Sequence, residues 1–162
     1  MARLAFVCWG NICRSPMAER VARKLAQGTV IESFGISTEE LGNPIDRRAA
    51  RTLTAAGYDA SGHRARQITR EDLLANDLVV AVEPFQVDRL LRIAPEANVA
   101  LLNDFDPAKP KGTPLIDPWY GDDAGYQGAP GLNHEMSDAM KAMIAWCNAQ
   151  GGINGRQLVG NY

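Results

Sequence analysis

Leu4-Ala5-Phe6-Val7-Cys8-Trp9-Gly10-Asn11-Ile12-Cys13-Arg14-Ser15-Pro16 stands close behind the start of the chain, and its reading decides the fold. Leu4 to Val7 is a continuous apolar run, the pattern of a strand buried on both faces. Gly10 and Asn11 are residue types that tolerate left-handed backbone, which a loop wrapped around an anion requires. From Pro16 to Ala26 the spacing predicts a helix, with Met17, Val21 and Leu25 on one face and a proline in the first turn, where its missing N–H costs nothing. A strand, a tight loop and a helix N-terminus in succession make an anion cradle, because loop N–H groups point outward and the helix dipole favours negative charge. The same field stabilises a thiolate on Cys8 at the mouth of the cradle. Arg14, six residues on, can return as a two-pronged phosphate clamp. The expected phosphate donors are the main-chain N–H groups of Trp9, Gly10, Asn11, Ile12, Cys13 and Arg14, together with the Arg14 side chain.

Further along, strands and helices alternate. Val30 to Ile36 is rich in β-branched and aromatic residues and reads as a strand. Gly42-Asn43-Pro44 leads to a helix from Ile45 to Ala56, closed by Gly57. Leu78 to Val82 reads as a buried strand, Pro84 to Ile93 as a helix and Val99 to Leu102 as a strand. Asn103 to Gly131 is loop-like, rich in Pro, Gly and Asp, and Asn133 to Asn148 is a last helix with a methionine stripe. This order predicts an α/β fold of three layers, a parallel sheet with helices on both faces and the phosphate-binding loop between strand 1 and helix 1. One domain over 1–149 is expected, followed by a loosely held tail, 150–162.

The composition directs attention to this local site. With 162 residues, 46% hydrophobic, 22% charged and a net charge of -2, the chain points to no nucleic-acid or membrane partner. No apolar run is long enough for a signal peptide or a bilayer span, so a cytoplasmic location is expected. Three cysteines do not make a secreted disulfide framework, and the Cys8/Cys13 spacing lacks the second pair or His cluster of a metal site; metal and cofactor are expected to be absent.

Phosphomonoester chemistry at a thiolate needs an in-line nucleophile, donors for the equatorial oxygens, an acid for the leaving oxygen and a base for water. Cys8 fits the first role and Ser15 can donate its hydroxyl to the sulfur. The best acid is Asp117, in Leu115-Ile116-Asp117-Pro118-Trp119-Tyr120, where Pro118 stiffens the loop. Trp119 and Tyr120 either form an aromatic wall beside a bound ring or pack the loop down. Taken alone, Cys8 and Cys147 could be small buried hydrophobes, Asp117 a plain Asp-Pro turn, and Arg47-Arg48-Arg51 a solvated helix face.

Cys8-x5-Arg14-Ser15 with a later Asp117-Pro118-aromatic-aromatic resembles the low-molecular-weight protein tyrosine phosphatases. Gly42-Asn43-Pro44-Ile45-Asp46-Arg47-Arg48-Ala49 resembles that family's Gly-x-Pro-x-Asp-x-Arg-Ala segment, and His63-Arg64-Ala65-Arg66-Gln67 its His-x-Ala-Arg-Gln segment. The resemblance implies a four-stranded parallel sheet and metal-free hydrolysis of phosphotyrosine through a cysteinyl-phosphate. It makes Cys8 the nucleophile, Arg14 the clamp and Asp117 the acid and base, with Asn11, Ser15, Ser37 and His63 as the network that stiffens the loop. It also implies that Cys13 can form a protective disulfide with Cys8, which would make the protein redox-sensitive. The implied partner is a phosphotyrosine-containing protein, beside a bacterial tyrosine kinase.

The sequence departs from the family around the cleft. Glu39 falls where eukaryotic members carry a Trp, Trp9 replaces a small residue or Leu, and Trp119 stands where Tyr is common. Val82-Glu83-Pro84-Phe85-Gln86 replaces a Met-Asp-x-x-Asn segment. The predicted substrate cleft is therefore Trp9, Glu39, Trp119 and Tyr120. Two rival readings remain at this stage. A thioredoxin-coupled arsenate reductase on the same scaffold would need a distal cysteine pair, but no cysteine lies between Cys13 and Cys147. A catalytically silent phosphotyrosine-binding module would have no use for the acid.

Overall fold

The computed structural model describes residues 2–117, 132–149, 151–152 and 159–160. Trp119 and Tyr120, both predicted for the cleft, lie outside the described residues. The chain runs β1 (Arg3–Cys8), α1 (Arg14–Leu25), β2 (Ala26–Gln27), β3 (Val30–Gly35), α2 (Arg47–Ala55), α3 (Arg70–Ala75), β4 (Leu78–Ala81), α4 (Pro84–Ile93), β5 (Val99–Leu101), a 3-10 turn (Leu102–Phe105), α5 (Leu132–Ala149) and β6 (Val159–Gly160). Strands β3, β1, β4 and β5 pair in that order into one sheet, and every pairing in it is parallel.

Period-two alternation along β1 explains the three layers. Leu4, Phe6 and Cys8 join Met17, Val21, Leu53, Met136 and Met140 in the core between the sheet and α1, α2 and α5. Ala5 and Val7 face the other way, onto Phe34, Leu73, Val79 and Leu90, beneath α3 and α4. A strand covered on both faces has no polar positions to spare, which is why Leu4 to Val7 reads as an unbroken apolar run.

Three local findings refine the element boundaries. Helix α1 begins at Arg14, two residues before Pro16, and the first-turn proline fits because Met17 N–H donates to the Cys13 carbonyl at 3.1 Å. Helix α3 has little apolar periodicity and announces itself only by its cap. Thr69 and Asp72 form a reciprocal capping box, with Asp72 N–H on Thr69 Oγ1 at 3.1 Å and Thr69 N–H on the Asp72 carboxylate at 2.9 Å. Near the chain end, Val159–Gly160 pairs antiparallel with Ala26–Gln27 in a small second sheet. Among the described residues no helix is long and apolar enough to cross a membrane, and no group of acidic, His or Cys side chains is placed to hold a metal ion.

Candidate active site

Cys8 ends β1 and Arg14 begins α1, so the loop between them sits at the carboxyl edge of the sheet, at the N-terminus of a 12-residue helix. The loop folds back over the sulfur. Asn11 N–H points at Cys8 Sγ from 3.3 Å, and Ser15 Oγ lies 3.0 Å from the same atom. Ser15 Oγ also lies 3.3 Å from the Phe34 carbonyl and accepts from Asn11 Nδ2 at 2.9 Å. The hydroxyl has one proton, within reach of both the Phe34 carbonyl and the sulfur.

Asn11 is the loop's conformational centre. It is the one non-glycine residue with positive φ (59°) among the described residues, a conformation that costs an L-residue roughly 1–2 kcal/mol. Its whole polar periphery is engaged to hold it there. Nδ2 donates to Ser15 Oγ and to Ser33 Oγ at 3.1 Å, Oδ1 accepts from Arg66 N–H at 3.0 Å, and the carbonyl meets His63 Nε2 at 2.6 Å. A carbonyl only accepts, so Nε2 carries the proton. Burial pushes the His63 pKa below its ordinary value, against the opposing pull of the Asn11 carbonyl, and this favours the neutral ring at pH 7. Gly10, expected to share the left-handed conformation, does not adopt it. Its lack of a side chain matters because a Cβ there would stand 3.3 Å from Glu40 Cγ.

Ser37 holds the next link, its N–H and its Oγ each donating to the Trp9 carbonyl at 3.0 Å. All four predicted supporting residues, Asn11, Ser15, Ser37 and His63, therefore touch the loop directly.

Sequence reading missed three contributors. Ser33 carries the chain of hydrogen bonds onward to buried Glu19, 3.3 Å away. Arg66 reaches Asn11 through its backbone N–H, which no side-chain pattern reveals. Gly35 lets the loop approach β3: a Cβ would meet the Trp9 carbonyl oxygen at 2.9 Å, Asn11 Cβ at 3.1 Å and Gly10 C at 3.2 Å. Gly35→Ala should therefore cost about 1–3 kcal/mol by overpacking and displace the loop. Thermal unfolding together with phosphate titration should show both losses; an unchanged phosphate affinity would mean that the loop tolerates the added methyl.

Arg14 is almost fully buried, and its guanidinium is fixed by three oxygens. One nitrogen donates to the Leu115 carbonyl at 3.2 Å, while another reaches the Glu83 carboxylate at 3.3 Å and the Asp117 carboxylate at 3.6 Å. Burial alone would lower its pKa; the negative charges of Cys8, Asp117 and Glu83 outweigh it, and the pKa is raised. Asp117 is placed by the main chain, since Leu115 N–H donates to the Val82 carbonyl at 2.9 Å and ties its loop to the end of β4. Cys8, Trp9 and Arg14, from the loop, line one cleft of about 400 Å³ with Glu39 and Asp117, from two distant parts of the chain. Glu40, Glu83 and Phe85 line it too. The last two belong to the segment that departs from the family pattern. Cys13, also on the cleft, is buried and, like Cys8, not in a disulfide, and Cys147 is a buried residue of α5.

Fold and site together define a class, α/β proteins in which a strand, a tight loop and a helix wrap a cysteine and an arginine into an oxyanion cradle. The chain belongs to the low molecular weight phosphotyrosine protein phosphatase family, whose model matches residues 3–145. It is 38% identical over 133 residues to the "Low molecular weight phosphotyrosine protein phosphatase" of Rattus norvegicus, covering 75% of this chain and 82% of that protein. To "Low molecular weight protein-tyrosine phosphatase A" of Mycobacterium tuberculosis it is 39% identical over 134 residues, 76% of this chain and 80% of that one. Among solved structures, the tyrosine phosphatase Wzb from Escherichia coli K30 in complex with sulphate superposes with a TM-score of 0.78 at 27% identity, covering 92% of this chain and 98% of that one.

Proposed function

We propose that this protein is a protein tyrosine phosphatase that hydrolyses phosphotyrosine monoesters through a cysteinyl-phosphate on Cys8. The observation that carries the reading is the convergence of Cys8, Arg14 and Asp117 on one cleft. In this reading the Cys8 thiolate attacks phosphorus in line, and the loop N–H groups from Trp9 to Arg14, with the Arg14 guanidinium, hold the three equatorial oxygens as charge spreads onto them. Asp117 gives its proton to the departing phenol oxygen, then takes one from the water that attacks the phosphocysteine, which frees the thiolate and phosphate. Ser15 donates to the sulfur both as nucleophile and as leaving group. No step calls on a metal or cofactor.

Asp117→Asn tests the acid. Phenol has a pKa of about 10 and needs a proton to leave, so kcat on a phosphotyrosyl peptide should fall about 10²-fold or more. On p-nitrophenyl phosphate, whose nitrophenolate departs readily unprotonated, the loss should be far smaller. Equal losses on both would take the acid role from Asp117.

The catalytic unit is the single domain 1–149, the location is cytoplasmic, and the substrates are proteins phosphorylated by a tyrosine kinase, of bacterial type. Under peroxide, a sulfenic acid on Cys8 condenses with the Cys13 thiol, releasing water and storing the nucleophile as a disulfide. Support for that step is that both thiols line the same cleft.

A further inference from the structure

Position 39 carries a glutamate rather than an aromatic, yet the cleft has an aromatic wall. Trp9, the residue after Cys8, lines it together with Phe85, their ring centroids 6.1 Å apart and tilted by 50°. Three contacts fix the tryptophan. Ser37 holds its carbonyl from two donors, Arg89 lies with its guanidinium carbon 5.8 Å from the ring centroid, and the indole Nε1–H donates to Glu39 Oε2 at 3.2 Å. An indole N–H is a single, directional donor, so one acceptor at its edge sets the rotation of the whole ring. Trp9 is only half-buried; without that acceptor, packing against Phe85 and Arg89 leaves its side-chain torsions freer.

We infer that Trp9 is the specificity-determining wall that recognises the aryl ring of the substrate, and that Glu39 is a positioning residue acting through the Trp9 indole. This rests on the phosphatase reading of the same cleft and adds which residues choose the ring. Position 9 thus supplies the aromatic surface and position 39 the acceptor that orients it. The cradle below is indifferent to the ring, because Arg14 and the loop N–H groups address phosphate alone. Ring recognition and phosphate recognition therefore belong to separable residues.

Competitive inhibition constants for two probes make the separation measurable. Benzylphosphonate carries a ring and a non-hydrolysable phosphonate; inorganic phosphate carries no ring. Trp9→Ala should weaken benzylphosphonate about tenfold, the size of one lost aromatic contact, while phosphate changes less than twofold. Glu39→Ala should weaken benzylphosphonate about threefold, with KM for a phosphotyrosyl peptide rising and kcat kept. Glu39→Gln keeps an acceptor oxygen without the charge and should restore the wild-type ratio of the two constants. The inference is overturned if the ratio is unmoved in Trp9→Ala or Glu39→Ala, if both constants rise together, or if Glu39→Gln behaves as Glu39→Ala. Absence of wild-type turnover on every aryl phosphate, with both probes still bound, would instead sink the phosphatase reading.

Discussion

Cys8→Ser should abolish turnover, by about 10⁴-fold or more, and leave phosphate bound with close to wild-type affinity. The substitution exchanges one atom at the focus of the loop. Ser15 Oγ and Asn11 N–H, 3.0 Å and 3.3 Å from the sulfur, keep an oxygen to address, so the cradle has no reason to reshape. The rest of its geometry is set by residues that the change does not touch: Asn11 on Ser33 and His63, Trp9 on Ser37. A serine hydroxyl is a far weaker nucleophile at neutral pH, and neither Ser15 Oγ nor Asn11 N–H, which meet position 8, is a base that could activate it. Of the neighbours, Ser15 and Asn11 are donors and His63 is committed through Nε2 to the Asn11 carbonyl. In the proposed mechanism the exchange also takes a thiolate from beside a phosphate dianion and removes a repulsion, so binding should hold or tighten. Calorimetric titration with phosphate and a rapid-quench search for a phosphoenzyme check the two halves. Residual turnover within a hundredfold of wild type would mean that sulfur is not the nucleophile.

The residues behind that result are readable from the chain. Cys8, Arg14 and Ser15 lie within eight residues, so their meeting depends on one strand, one turn and one helix start. The parallel sheet followed in the same way, from apolar runs that only a doubly covered strand explains. Asp117 needed the family pattern, because its approach to Arg14 depends on a loop tied to β4 through Leu115 and Val82. Gly35, Ser33 and Arg66 stayed hidden for a different reason. They act by absence of a Cβ, by a strand hydroxyl facing inward and by a main-chain N–H, features that appear only once β3 lies beside β1. Glu83 and Phe85 were visible as departures, but nothing local says that a departure faces the clamp.

Arg14→Ala should remove both binding and turnover, and the surrounding charges explain why the loss exceeds that of one hydrogen-bond donor. In the wild type the guanidinium sits among the Cys8 sulfur and the carboxylates of Glu83 and Asp117, and its charge opposes theirs at the base of the cleft. Without it, an incoming phosphate dianion meets these acids with that opposing charge gone, in a partly enclosed site. Phosphate affinity should fall by about 10²-fold or more and turnover by about 10³-fold or more, beyond the 10²–10³ typical of losing a single oxyanion donor. Folding should survive. The Glu83 and Asp117 side chains are 24% and 41% exposed, so water takes over much of their solvation and the stability cost stays near 1–2 kcal/mol rather than that of a fully buried broken pair. Arg14→Lys restores a charge without the planar fork; it should recover part of the binding but little of the turnover. Adding Glu83→Gln to Arg14→Ala separates the two contributions. If repulsion matters as argued, the double variant regains phosphate affinity that the single variant lost, while turnover stays down because no group holds the transition-state oxygens. A double variant no better at binding phosphate than Arg14→Ala would assign the whole loss to missing donors and leave Glu83 without a part in it.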